Sequence, residues 1–325
     1  MSGMESADLG VLRTAVAWRA AGVPVMLATL VETWGSAPRP IGALLVLSGD
    51  GRLHGSVSGG CIEDDLLDRV RACAASTAGW PRAAETITYG ITSEEAMRFG
   101  LPCGGTLRVV LEPLTAGSGI EALLEAVEAR RLVQRSLDLA TGVARIEDCA
   151  PDAVLRCDDA TLRSVHGPRM RILVIGAGQV AAYLDDMASA LDFQVLVCDP
   201  REEYRASWTR PQTPIDERMP DDFVTALVPD ARTAVVALTH DPKQDDLALI
   251  EALRSKALYV GALGSRVNQE KRRARLLEFD LTPAQIDRLR GPVGLPIGSR
   301  SPPELAIAIL ADLIAARQGV RLVRV

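Results

Sequence analysis

Four short apolar runs in the second half of the chain, residues 172–175, 194–198, 233–238 and 257–260, are separated by segments of helical or loop character. Strands that are apolar throughout, rather than alternating, are buried on both faces, and intervening helices supply the crossovers that parallel strands need. The first run leads directly into Gly176-Ala177-Gly178-Gln179-Val180-Ala181. Strand, glycine turn and helix start in that order form a dinucleotide-binding fingerprint. Ala181 stands at its third glycine position, where close helix–strand packing is the only demand. Asp199 closes the next strand, 23 residues after Gly176, where an acid can accept hydrogen bonds from a ribose.

The fold expected over residues 167–325 is therefore a Rossmann-like doubly wound parallel sheet with a nucleotide site. Gly176, Gly178 and Gln179 would face the phosphates, and Asp199 the ribose. An acid at Asp199 repels a 2′-phosphate and favours NAD over NADP, an inference that Arg201 nearby weakens. Open sheets of this kind bind ligands beyond the C-terminal ends of their strands. Thr239-His240-Asp241 follows one strand, and Gly261-Ala262-Leu263-Gly264-Ser265-Arg266 follows another. This makes His240 a candidate acid–base group, with Gly264, Ser265 and Arg266 as candidate phosphate contacts. The plainer readings are a strand-end cap for His240 and a solvated helix face for Lys271-Arg272-Arg273 and Arg275. Ser301-Pro302-Pro303-Glu304 reads as a capping box opening a helix over 305–316.

The first 166 residues read as a mixed α/β domain. A helix over about 9–21 precedes a strand at 25–31 and a loop containing Pro38, Arg39, Pro40 and Gly42. A hairpin over 43–47 and 53–57 then delivers the chain to Gly59-Gly60-Cys61, and helical periodicity resumes to about Ser76. Cys61 in a first helical turn would have its thiolate favoured by unpaired amides and the helix dipole. Strands at 85–89 and 107–111 flank a second cysteine–glycine segment, Pro102-Cys103-Gly104-Gly105. A helix over 121–131 and a hairpin over 132–147, turning at Thr141-Gly142, complete this half.

Six cysteines occur, none in a C-x-x-C pair, so reduced thiols in a cytoplasmic protein are the expected state. His54, His166 and His240 are too scattered to suggest a zinc site. The N-terminus lacks a basic region followed by an apolar run, and no apolar stretch is long enough to span a bilayer. A net charge of −6 argues against a general nucleic-acid or anionic-membrane binder.

Several of these segments together resemble the XdhC/CoxI family: Arg39-Pro40-x-Gly42, the run from Gly55 through Gly59-Gly60-Cys61 to Glu63, Pro102-Cys103-Gly104-Gly105, Gly176-x-Gly178, Thr239-His240-Asp241-Pro242, Gly261 to Arg266, and Gly294 to Gly298. They fall in family order along nearly the whole chain. The loop before Ala43 lacks a second arginine that many relatives carry, which puts one basic contact to a cofactor phosphate in doubt. The resemblance implies an accessory protein for molybdenum hydroxylases such as xanthine dehydrogenase. Such a protein would bind the molybdenum cofactor (molybdopterin or its dinucleotide form), support its sulfuration with a cysteine desulfurase, and deliver it to the apo-enzyme.

Under that implication Arg39, Gly59, Gly60, Cys61, Cys103, Gly104 and Gly105 become cofactor contacts in the first domain. Gly176, Gly178, Gln179, Asp199, Arg201, His240, Gly264, Ser265 and Arg266 do so in the second. Soft thiolates at Cys61 and Cys103 suit a molybdenum centre, by ligation or by sulfur relay. Two other readings stay open: an NAD-dependent oxidoreductase using His240 as proton donor, and an assembly scaffold without cofactor affinity. A homodimer is the default oligomeric expectation.

Overall fold

The computed structural model describes residues 7–34, 39–60, 62–77, 79–90, 106–150, 152–168 and 170–320. The chain divides into two compact units, one over Glu5–Pro168 and one beginning at Arg169.

In the first unit, α1 (Ala7–Ala20) precedes a five-stranded antiparallel sheet of order β3-β2-β1-β5-β4, formed by β1 (Val25–Trp34), β2 (Leu44–Ser48), β3 (Leu53–Gly55), β4 (Glu85–Tyr89) and β5 (Thr106–Pro113). The helix α2 (Glu63–Ala75) follows β3, and α3 (Ile120–Glu128) follows β5. Side chains alternate along a strand, so an apolar run such as β1 must be covered on both faces. Met26, Ala28 and Leu30 pack in one core with Ile62, Leu66 and Val70. Val25 and Leu27 pack in another with Val11, Leu12, Ala15 and Leu123.

A second, four-stranded antiparallel sheet has the order β7-β6-β9-β8, from β6 (Val133–Asp138), β7 (Ala144–Asp148), β8 (Arg156–Cys157) and β9 (Thr161–His166). The two sheets are pinned by a buried ion pair. Arg135 on β6 donates from Nη1 and Nη2 to Glu112 on β5 at 2.8 and 2.7 Å, and from Nε to the Ser118 carbonyl at 3.1 Å. Arg135 is 2% exposed and Glu112 1%, so each charge depends wholly on the other and on that carbonyl.

The second unit is a six-stranded, all-parallel sheet of order β12-β11-β10-β13-β14-β15. Its strands are β10 (Met170–Ile175), β11 (Phe193–Cys198), β12 (Ile215–Asp216), β13 (Thr233–Ala237), β14 (Tyr259–Ala262) and β15 (Leu289–Arg290). Between them run α4 (Gln179–Ser189), α5 (Glu202–Ser207), α6 (Pro220–Leu227), α7 (Pro242–Arg254), α8 (Arg266–Leu277) and α9 (Pro283–Ile286), with α10 (Pro302–Arg317) last. The strand order reverses between β10 and β13, the switch point of a doubly wound Rossmann fold. Ile172 and Val174 face a core shared with α4 and α10, while Leu173 and Ile175 face one shared with α6, α7 and α8.

The strand expected over 257–260 instead spans Tyr259–Ala262, and two-residue strands at β12 and β15 extend both edges of the sheet. Ser301 and Glu304 do form the expected capping box at the start of α10. Among the described residues, no helix is long and apolar enough to cross a membrane.

Candidate functional site

Each unit places a glycine-rich turn between a strand and a helix. In the first unit, the turn leaves β3 and closes on Glu63, the first residue of α2. The Glu63 carboxylate accepts from the amides of Val57, Ser58, Gly60 and Ile62 at 3.0–3.2 Å. The hydroxyls of Ser56 (2.7 Å) and Ser58 also donate to it. Burial alone would raise the pKa of Glu63, but the hydrogen bonds from Ser58 and Ser56 outweigh it and bring the value down to about 2. Gly59 and Gly60 adopt φ of +85° and +114°, which only glycine takes readily, and a Cβ at Gly60 would meet open space.

The amides of Val57, Ser58, Gly60 and Ile62 are thus occupied by a carboxylate of the chain itself. The expectations for Cys61, Cys103, Gly104 and Gly105 lie outside the described residues. Arg39 is exposed. Among the described residues there is no cluster of three or more His, Cys, Asp or Glu that could hold a metal ion.

In the second unit, Gly176 has φ +104°, and a Cβ there would fall 2.9–3.1 Å from the side chain and backbone of Thr239. The turn thus packs directly on the segment leaving β13. Gly178 caps α4 without a side-chain hydrogen bond, and a Cβ on it would meet nothing. Among the described residues no side-chain cap takes the first amides of α4, which are the orphan donors of a helix N-terminus, and Gln179 is exposed at its start.

Asp199, the expected ribose contact, is held by groups of its own unit. It is fully buried, and its carboxylate accepts from the Ala177 amide at 2.9 Å, from the Arg201 amide at 3.1 Å, and from Arg201 Nε and Nη2 at 2.9 and 2.8 Å. Burial works to raise its pKa, but the Arg201 fork and the Ala177 amide hold it below the ordinary carboxylate value. With four donors on its two oxygens, Asp199 braces the glycine turn. Arg201 also lies 3.7 Å over the Tyr204 ring.

At the C-terminal ends of β13 and β14 the structure brings His240 and Gly264 to one cavity of about 220 Å³, walled by Asn268, Lys271, Arg272 and Arg275 of α8. His240 is exposed with φ +62°, and Gly264 has φ +139°. Ser265 is the N-cap of α8, its hydroxyl accepting from the Asn268 amide at 3.3 Å, and Arg266 is exposed at the helix start. Neither lines the cavity.

Lys271, Arg272, Arg273 and Arg275 do not form a simple solvated face. Arg272 is buried and donates to Asp245 (2.8 Å), Asp246 (3.2 Å), Gln269 (3.1 Å) and the Leu263 carbonyl (3.1 Å). Arg273 caps the Ile286 and Leu289 carbonyls at 2.9 and 2.6 Å. Arg275 reaches Asp246 through Nε at 2.7 Å. Asp245 in turn accepts from the Thr239 hydroxyl and amide at 2.7 and 3.2 Å. Burial pushes the Asp245 carboxyl upward against Thr239 and Arg272. The residues that sequence reasoning missed are thus Glu63, Asn268, Lys271 and Arg275. Two signals pointed to them: an acid three residues after Gly60, and the i, i+3, i+7 spacing of 268, 271 and 275, which shares one helix face.

Known proteins resemble both halves of the chain. Residues 18–90 match the model of the XdhC and CoxI family, and residues 172–313 match that of the XdhC Rossmann domain. The chain is 30% identical to the "Molybdenum cofactor insertion chaperone PaoD" of Escherichia coli (strain K12), over 94% of this chain and 88% of that protein. It is 29% identical to a probable xanthine dehydrogenase subunit of Bacillus subtilis (strain 168), over 92% of this chain and 94% of that one. A crystal structure described as a xanthine dehydrogenase from Bacillus halodurans superposes with a TM-score of 0.72 at 25% identity, covering 97% of each chain.

Proposed function

The chain belongs to the XdhC and CoxI family, and from that membership we propose that it is an accessory factor for a xanthine dehydrogenase-type molybdenum hydroxylase. In this reading it binds the molybdenum cofactor as cargo, supports the cofactor's sulfuration with a cysteine desulfurase, and inserts it into the apo-enzyme. The observation that carries the reading is end-to-end similarity to an insertion chaperone, extending over 94% of this chain. A relative matched over its Rossmann half alone would support only nucleotide binding.

The described residues suit such cargo in one respect. A phosphate-bearing ligand can meet the open N-terminus of α4, where Gly178 leaves room for close approach. The chain's part is to bind and orient the cargo, so it acts as a maturation chaperone rather than as an enzyme. Cys61 and Cys103 are the proposed molybdenum contacts or sulfur relay, since thiolates are the soft ligands of the sequence. The NAD-dependent oxidoreductase reading draws less support, because Asp199 is spent on Ala177 and Arg201.

The test is to purify the protein from a molybdenum-replete host and oxidise any bound pterin to its fluorescent form. The eluted cofactor is then added to an apo molybdenum hydroxylase with and without the desulfurase. Copurifying pterin and protein-dependent activation are expected. Absence of pterin together with protein-dependent activation overturns the carrier reading and leaves the scaffold. Retention of full pterin binding and activation by both Cys61→Ala and Cys103→Ala removes the thiol part alone.

A further inference from the structure

We propose that the cavity beyond β13 and β14 is a phosphoryl subsite, in which Lys271 and Arg275 of α8 hold the phosphate end of a larger ligand. The inference rests on the carrier reading only for what the phosphate is attached to.

Three observations point the same way. Charge is the first. Three cationic side chains, Lys271, Arg272 and Arg275, wall the cavity, and two carboxylates, Asp245 and Asp246, oppose them. Those carboxylates are consumed by Arg272 and by the Nε of Arg275. Among the described residues, neither the Lys271 ammonium nor the two terminal nitrogens of Arg275 have a protein partner. A surplus of donors and positive charge is therefore turned to the space between His240, Gly264 and Asn268. Neighbouring cations one helical turn apart, with donors to spare, suit phosphate oxygens.

Size is the second. About 220 Å³ falls short of the roughly 300–1,000 Å³ of sites that enclose a whole small ligand, so the cavity fits one end of a molecule. Continuity is the third. Gly176 of the glycine turn packs within about van der Waals contact of Thr239, whose neighbour His240 lines the cavity. Thr239 is bonded to Asp245, and Asp245 to Arg272. The α4 N-terminus and the cavity are thus joined by one continuous set of contacts at the switch point.

Two sources share this chemistry: a single phosphate monoester, and a diphosphate bridge to a nucleoside. Calorimetric titration of the full-length protein with orthophosphate, pyrophosphate and ADP separates them. Saturable binding of at least one probe is expected. Lys271→Glu should weaken it by about tenfold or more, the loss of one charge-assisted hydrogen bond replaced by repulsion. Lys256→Glu, the same charge change at another exposed lysine, should leave it within about twofold. Lys271 is exposed and without a protein partner among the described residues, so its variants retain the fold, and Lys271→Ala gives an intermediate loss.

Preference for orthophosphate assigns the monoester, and preference for pyrophosphate and ADP assigns the bridge. The proposal is overturned if no probe binds saturably, if Lys271→Glu binds as well as the parent, or if Lys256→Glu loses as much. Lys271-dependent phosphate binding in a protein that never copurifies pterin would retain the subsite and remove the carrier reading. Pterin copurifying with Lys271→Glu at the parent's level, with phosphate binding unchanged, would do the reverse.

Discussion

The two glycine turns use the same parts to opposite ends. Both join a strand to a helix, and both spend backbone amides on a carboxylate from their own unit. In the first unit the carboxylate, Glu63, is local: four amides and two hydroxyls from residues 56–62 converge on it. In the second, Asp199 comes from the neighbouring strand, takes one amide from the turn, and otherwise binds Arg201. The first turn spends four of its described amides on its own carboxylate. The second is braced from one side and leaves the α4 N-terminus open. Glycine content does not distinguish these outcomes. The position of the nearest acid does.

The sharpest way to break the comparison is Glu63→Ala. Removing one acceptor strands several buried donors, and a loss of about 3 kcal/mol or more in urea unfolding is expected, with amide exchange accelerated over residues 56–62. Unchanged exchange there would mean that the loop does not depend on its carboxylate. The acid response carries the same signature. The Glu63 pKa falls from the ordinary 4.5 to about 2 on folding, so its contribution is fully present above 4.5 and disappears as pH drops through 2. Stability curves of the parent and Glu63→Gln should therefore converge over that window.

Next in size is Gly176→Ala, which combines φ +104° with a clash against Thr239. A loss of about 2–3 kcal/mol is expected from thermal unfolding. Asp199→Asn should cost less, about 1–2 kcal/mol, because Arg201 is partly exposed and can turn to solvent. If it instead weakened NAD binding, Asp199 would be a ribose contact after all. The smallest effect belongs to Gly60→Ala, where space is open and only φ +114° opposes a side chain. About 1 kcal/mol is expected, and a larger loss would indicate a contact to residues beyond the loop.

Much of the fold was legible in the sequence because its strongest signals are apolar runs. The buried strands at β10, β11 and β13 and the turn at Gly176–Gly178 follow from them. The β9 strand did not stand out because its inward positions are Leu162, Ser164 and His166, with a 2.7 Å contact between His166 Nε2 and Ser164 Oγ in place of aliphatic packing. Two-residue strands such as β12 and β15 are too short for any periodicity to register. At the site, the spacing from Gly176 located Asp199 at a strand end. It could not tell that Arg201, two residues on, folds back to occupy it. Likewise the Lys271–Arg275 run reads as uniform charge until Asp245 and Asp246, more than twenty residues away, sort its members into buried and available.

The Arg135–Glu112 pair that pins the two sheets of the first unit has a consequence for how this sequence can drift. Exchanging both residues for apolar ones of similar volume is often neutral or stabilising, but losing either alone leaves an uncompensated charge in a dry layer at about 3–5 kcal/mol. That is a large part of the roughly 5–15 kcal/mol holding a typical domain together. A lineage changing one codon at a time meets that intermediate first. The pair behaves as a ratchet: easy to keep, easy to do without, and hard to leave.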